Sequence, residues 1–243
     1  MEKIWGHVFT NKLRTDPVEH NVMVTEAPMN PKENIEKMAP IMFETFNVPG
    51  LYIAIQAVLS LYSTGKFSGI VSDSDDDGYS LPHAIIILNL AERNLTQCMM
   101  KLLTETGQRF STSAKKEIVK VIKEKAWYVA FDFVEELKSV EPFDYELPDG
   151  THVVVKGQRI RYPKALTMIG KEGNGIGQTC YDSIQKYNID VRKDLYNCVV
   201  LSGSTSKYNG LPERLTKEIK ALAPESMKEE IKVIASHERK FAV

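Results

Sequence analysis

The chain has 243 residues, 43% of them hydrophobic, with 31 basic and 32 acidic side chains and a formal net charge of −1. That content allows a real core in one large domain or two small ones, and the near-neutral balance gives no electrostatic case for nucleic acid or an acidic membrane. The longest apolar segments, around Leu51 to Tyr62 and Ala84 to Leu88, fall well short of a bilayer span, and the amino terminus MEKIWGHVF has no signal-peptide core.

Taken in chain order, Asn30 with Pro31 behind it reads as a cap and first helical residue, opening an amphipathic run to Phe46. Leu51 to His83 follows as LYIAIQAVLSLYSTGKFSGIVSDSDDDGYSLPH. A run rich in β-branched and aromatic residues (Tyr52, Ile53, Ile55) gives way to a short amphipathic run that stops at Gly65. A second strand-like run, Phe67 to Val71, completes a strand, helix, strand pattern. A helix from about Ala91 to Glu105 stops at Gly107 and carries Leu95, Met99, Leu102 and Leu103 on one face, with Met99 and Met100 as core filler. Ser111 or Ser113 caps the next helix, which runs past Trp127. Tyr145 to Gly157 reads as a hairpin around Pro148, Asp149 and Gly150, and Gly170 to Thr179 as a flexible surface loop. Cys198 to Leu201 and Ile231 to Ala235 are strands, separated by a small-residue turn and the helix-like LPERLTKEIKALA. Lys228 to Lys232 reads as a solvated helix end. Such irregular alternation of helices and strands belongs to an α/β architecture.

The second strand empties into Asp73, Ser74, Asp75, Asp76, Asp77 and Gly78, at the carboxyl end where open α/β sheets place ligands. Three readings compete. Asp73, Asp75, Asp77 and Gly78 match the first, third, fifth and sixth positions of an EF-hand loop, but Ala84 stands where the bidentate Glu belongs, and a strand precedes the loop. A phosphate site needs small residues with backbone N–H groups close to the anion, and one carboxylate aimed at a metal or its waters. A solvated acidic turn is the third. Cys98, Cys180 and Cys198 form no C-x-x-C pair, so neither a disulfide framework nor a zinc site is indicated and the chain reads as reduced and cytosolic. The five histidines stand apart from one another, no G-x-S-x-G elbow occurs, and GKEGNGIGQT fits no phosphate-binding glycine pattern.

The runs EKMAPIMFETFNVPGLYIAIQAVLSLYSTG, GYSLPHAI, KEIVKVIKEKAWYVAFDF, YELPDG, IDVRKDLYNCVVLSG and EIKALAPESMK, in that order, closely resemble actin, and the resemblance extends from Met1 to Val243. It implies an α/β, actin-like ATPase-domain fold of the ribonuclease H-like kind, with the large half nearly complete and the small half a remnant. Residues 1–63 would be the remnant of the inner small subdomain, 64–89 with 172–243 the inner large subdomain, and 90–171 the outer large one. The first phosphate hairpin and the outer small subdomain of the family would lie before Met1, and its last helices after Val243. The remnant should expose apolar surface.

The resemblance also implies ATP or ADP with Mg2+ or Ca2+. Gln56 stands where the family orients the hydrolytic water, and Asp73 near the shell of water around the metal. Ser74 and Asp76 fall on phosphate and ribose contacts; Lys123, Glu124, Tyr208 and Lys240 match base and ribose contacts, and Lys120 keeps the charge of an arginine without its planar fork. Ser204 and Glu92 each replace a glycine lying against the nucleoside. Asp75 replaces a glycine that approaches the phosphates, at about 4 kcal/mol for a carboxylate ~4 Å from a phosphate charge at an effective dielectric near 20, and Asp77 replaces another. The implied role is a cytoplasmic, cytoskeletal protein that pairs with actin or itself, with actin-binding proteins and with a chaperonin, and whose hydrolysis is impaired. The alternatives are a non-catalytic actin-derived interaction module and a product without function.

Overall fold

A computed structural model describes residues 1–26, 30–73, 100, 103–104, 118–119, 121–122, 125–147, 150–161, 163 and 175–239, with the backbone alone at 204–205. The chain opens with α1 (Glu2–His7), which widens into a π-helical stretch over Val8–Leu13. Strand β1 (Val22–Glu26) pairs in parallel with β2 (Leu51–Ile55), and between them lies α2 (Lys32–Pro40). Pro31 caps α2 from outside, with ψ at 131°, instead of filling its first turn. Asn30 accepts a hydrogen bond from the Asn34 side chain at 2.8 Å. Pro40, lacking an N–H and crowding the carbonyl one turn back, ends the regular helix, and Ile41–Thr45 continues as a wider π-helical turn. The run to Phe46 is therefore two helical forms, not one.

This first sheet is thinly covered. Phe9 packs on Phe46 with ring centroids 5.3 Å apart, and Met42, Val48 and Ala54 are buried. Met23 and Tyr52, cross-strand partners, are 59% and 66% exposed, and Val24 and Ile53 on the other face are only half-buried. Parallel strands are usually covered on both faces.

Helix α3 (Gln56–Ser63) follows β2 directly and ends before Gly65, whose φ of 72° suits glycine. Strand β3 is Ile70–Asp73, three residues later in its start than the pattern predicts. Its partner strand, β6 (Val199–Ser202), begins only at Val199, opposite Ile70, so Phe67 lies ahead of the pairing; it is 84% exposed, its ring 5.6 Å from that of Tyr62.

Strands β3, β6 (Val199–Ser202) and β7 (Val233–Ile234) form a parallel sheet with β6 in the middle. All four β6 residues are buried. Val199 and Leu201 join Ile70 and the helices α5 (Ile176–Gln185) and α7 (Leu211–Leu222) through Cys180, Ile184, Leu215 and Ile219; Val200 faces Leu61 of α3. Between α5 and β6 lies α6 (Ile189–Tyr196). Residues 176–179, expected in a loop, form the first turn of α5. The glycine there serves close packing: a Cβ on Gly177 would lie 2.6 Å from Glu218 Cβ on α7.

The remaining described residues supply the other side of the core. Asp132 caps α4 (Phe133–Ser139) by accepting from the Val134 and Glu135 N–H groups at 3.1 and 3.3 Å, and these bonds hold its carboxyl below the ordinary range. Strands β4 (Phe143–Glu146) and β5 (His152–Val155) make the expected antiparallel hairpin, with Gly150 at φ 79°. Of the helix foreseen over 91–105, Met100, Leu103 and Thr104 are described; Leu103 is fully buried, while Leu95, Met99 and Leu102 lie outside the described residues. The following helix stops at Ala126, before Trp127, because the next backbone groups pair elsewhere: Tyr128 bridges to Asn209, and the Val129 N–H donates to the Asn209 carbonyl at 2.8 Å.

That seam requires glycine at 210, where φ is 81° and a Cβ would meet the Val129 carbonyl oxygen at 2.3 Å. Gly210→Ala should lower the unfolding free energy by at least about 2 kcal/mol in urea titrations. A second check uses Cys180, whose thiol burial pushes up from 9.0 to about 12. Between those values the unfolded chain gives up this proton while the folded chain keeps it. Stability should therefore fall as pH rises from 9.0 toward about 12, and more gently in Cys180→Ala, a difference that denaturation midpoints across that range will register.

Candidate functional site

The geometry centres on the carboxyl edge of β3 and β6. Asp73 ends β3 directly opposite Ser202, which ends β6. The chain then leaves through Gly203, at φ 88° and ψ 160°, a backbone region open essentially to glycine alone. A 3-10 turn over Ser204–Lys207 follows, closed by the Ser206 N–H and hydroxyl donating to the Gly203 carbonyl at 3.2 and 2.6 Å. Tyr208, the residue after the turn, is 5% exposed and packs in the main core. Of Ser204 only the backbone is described.

The first sheet reaches the same edge through α3. The Ser60 and Ser202 hydroxyls, both buried, hydrogen-bond at 2.9 Å across 142 positions of sequence. Gln56 lies one helical turn before Ser60, so the two share a face of α3. Its Nε2 donates to Thr25 Oγ1 at 3.4 Å, near the carboxyl end of β1. Ser202 is thus the point where three elements meet: Asp73 stands beside it, α3 is fastened to it through Ser60, and the turn leading to Tyr208 begins after it; Gln56, half-buried one turn before Ser60, is directed to Thr25.

Ser74, Asp76, Lys120, Lys123, Glu124 and Lys240 lie outside the described residues, as do Asp75, Asp77 and Glu92. Three residues that sequence reasoning did not single out hold the site together: Ser60, Ser202 and Arg239. The only signal for the serines was a hydroxyl inside an otherwise apolar run. Among the described residues no group of three His, Cys, Asp or Glu side chains is placed to hold a metal ion. A single carboxylate at the strand end, such as Asp73, suits magnesium, which takes few protein ligands and completes its shell with phosphates and water.

A sequence model of the Actin family matches residues 1–243, the entire chain. The chain belongs to the actin family. Its mixed α/β architecture with parallel sheets is in keeping with an actin-like ATPase fold. In this actin-family chain, the carboxyl edge of β3 and β6 is the position at which open α/β sheets in general place ligands. No helix among the described residues is long and apolar enough to cross a membrane.

Truncating one serine of the buried pair leaves the other hydroxyl without its partner. Ser60→Ala and Ser202→Ala should each cost about 1–3 kcal/mol of stability, and the double variant clearly less than their sum. Additive losses in a denaturation cycle would mean that the pair is not coupled.

Proposed function

We propose that this actin-family chain is a cytoskeletal protein of the cytoplasm that binds an adenine nucleotide with a divalent cation at the carboxyl edge of β3 and β6, with impaired hydrolysis. The observation that carries the reading is the meeting at Ser202 of Asp73, of α3 through Ser60, and of the glycine-opened turn to Tyr208. Gly203 has no side chain and lets backbone come close to a ligand, as a nucleoside against a sheet edge requires.

In this reading Asp73 orients water around the cation, and Gln56 orients a water near the terminal phosphate. Bound Mg2+ would screen the phosphates and polarise them toward attack. The Ser204 and Tyr208 segment lines the nucleoside, with Lys120, Lys123, Glu124 and Lys240 completing base and ribose contacts and Ser74 and Asp76 meeting phosphate and ribose. Asp75 and Asp77, in place of glycine, repel phosphate and weaken both affinity and turnover. Partners are actin or further copies of this chain, actin-binding proteins and a chaperonin. The chain divides at about residue 63 into the small inner portion and, beyond it, a large portion split at 89 and 171.

The second reading, an interaction module without turnover, has its own support. The β1–β2 pair leaves Met23 and Tyr52 in solvent, an apolar surface suited to burial in a partner.

A thermal melt with and without excess magnesium ATP tests the choice. Ligand at a hundred times its Kd adds about 2.7 kcal/mol, a clear upward shift of the midpoint. A cooperative melt without a shift would replace the nucleotide reading with the interaction module.

A further inference from the structure

The turn after β6 is held from behind by one side chain. Arg239 Nε donates to the Ser206 carbonyl at 3.3 Å and to its hydroxyl at 3.2 Å, and a terminal guanidinium nitrogen reaches the same carbonyl at 3.1 Å. The other terminal nitrogen donates to the Ser236 carbonyl at 2.7 Å, just beyond β7. The Arg239 carbonyl in turn accepts the Gly203 N–H at 3.0 Å. The guanidinium fork is therefore directed at backbone carbonyls and a serine hydroxyl of two neighbouring turns. Among the described residues, the Glu213 carboxylate on α7 favours its charged form, against burial, which disfavours it.

A fork of this kind fixes direction as well as position. Arginine offers five N–H groups in one plane, and a lysine in its place is a point charge that cannot bridge both turns at once. Ser206 is buried, so its carbonyl and hydroxyl would lose these partners with no water to replace them.

We propose that Arg239 is a positioning residue for ligand recognition: it ties the turn from Gly203 to Tyr208 to the exit of β7 and so sets how that turn meets the nucleoside portion of a bound nucleotide. This rests on the nucleotide reading above and assigns its nucleoside half to a device remote from the phosphates. Arg239 does not touch the ligand; it acts through Ser206 and Gly203.

The test compares the parent chain with Arg239→Ala and Arg239→Lys by calorimetric titration with three probes: magnesium ATP, adenosine and inorganic tripolyphosphate. Loss of the fork should weaken ATP and adenosine by a similar factor of about ten, leave tripolyphosphate unchanged, and be rescued poorly by lysine. Amide hydrogen exchange should quicken at Gly203 and Ser206 in Arg239→Ala and stay unchanged at Val199 to Leu201. Equal weakening of all three probes would mark a general structural lesion and overturn the inference, as would unchanged adenosine affinity or exchange. If the parent binds none of the probes, the nucleotide reading falls and this inference with it; if the parent binds and the variants bind equally well, the inference falls alone.

Discussion

The structure depends on burying one short strand on both faces. Val199 to Ser202 has β3 on one side and β7 on the other, α5 and α7 over one face and α3 over the opposite one. A parallel strand so enclosed has no polar face to turn to water, which is why it reads as VVLS without a charged residue. Much of the candidate site follows from that enclosure. Because β3 and β6 run in parallel, both must end at one edge, and the chain can leave only by turning sharply there. Gly203 supplies the turn. Ser202, the last residue inside, carries a hydroxyl that needs a partner once water is excluded, and Ser60 provides it from the covering helix.

The strand, helix, strand run from Leu51 to Asp73 was legible because its periods are unambiguous and Gly65 punctuates it. Boundaries were misread where long-range partners decide them. Ser68 and Gly69 belong to no strand since β6 has not yet begun, and the preceding helix ends before Trp127 since Tyr128 finds Asn209, more than eighty positions away. Gly177 reads as part of a loop because its reason, the approach of α5 to α7, involves Glu218 far along the chain; residues 170–174 of that stretch lie outside the described residues. For the site, Gln56 and Asp73 take their roles from the family resemblance; by residue type alone Gln56 reads equally well as a polar residue ending a strand and Asp73 as a helix or turn cap. Ser60, Ser202 and Arg239 could not be found in this way, since each acts through hydrogen bonds between residues remote in sequence.

The two parallel sheets differ in how completely they are enclosed. Around β6 the helices cover both faces. Around β1 and β2, apolar side chains of both strands remain in contact with water, Met23 beside Tyr52 on one face and Val24 beside Ile53 half-covered on the other. A pair of strands rarely holds alone, and among the described residues the support for this portion comes from its π-helical flanks, from the Phe9 and Phe46 rings, and from α3. Helix α3 therefore has two duties: it covers β6, and it anchors the first sheet to the second through Ser60.

This arrangement separates folding from ligand chemistry. The turn from Gly203 to Tyr208 is held by a buried strand, by the seam at Gly210 and by the Arg239 fork, none of which requires a ligand. In the proposed nucleotide reading, the residues that would oppose phosphate, Asp75 and Asp77, follow Asp73 in the sequence. Repulsion of about 4 kcal/mol between one carboxylate and a phosphate charge is enough to cancel nearly three decades of affinity, yet it leaves the enclosure of β6 untouched. In the proposed reading a divalent cation near Asp73 would offset it in part, so the response to nucleotide would follow from charges at and after Asp73, while the architecture is governed by the burial of β6.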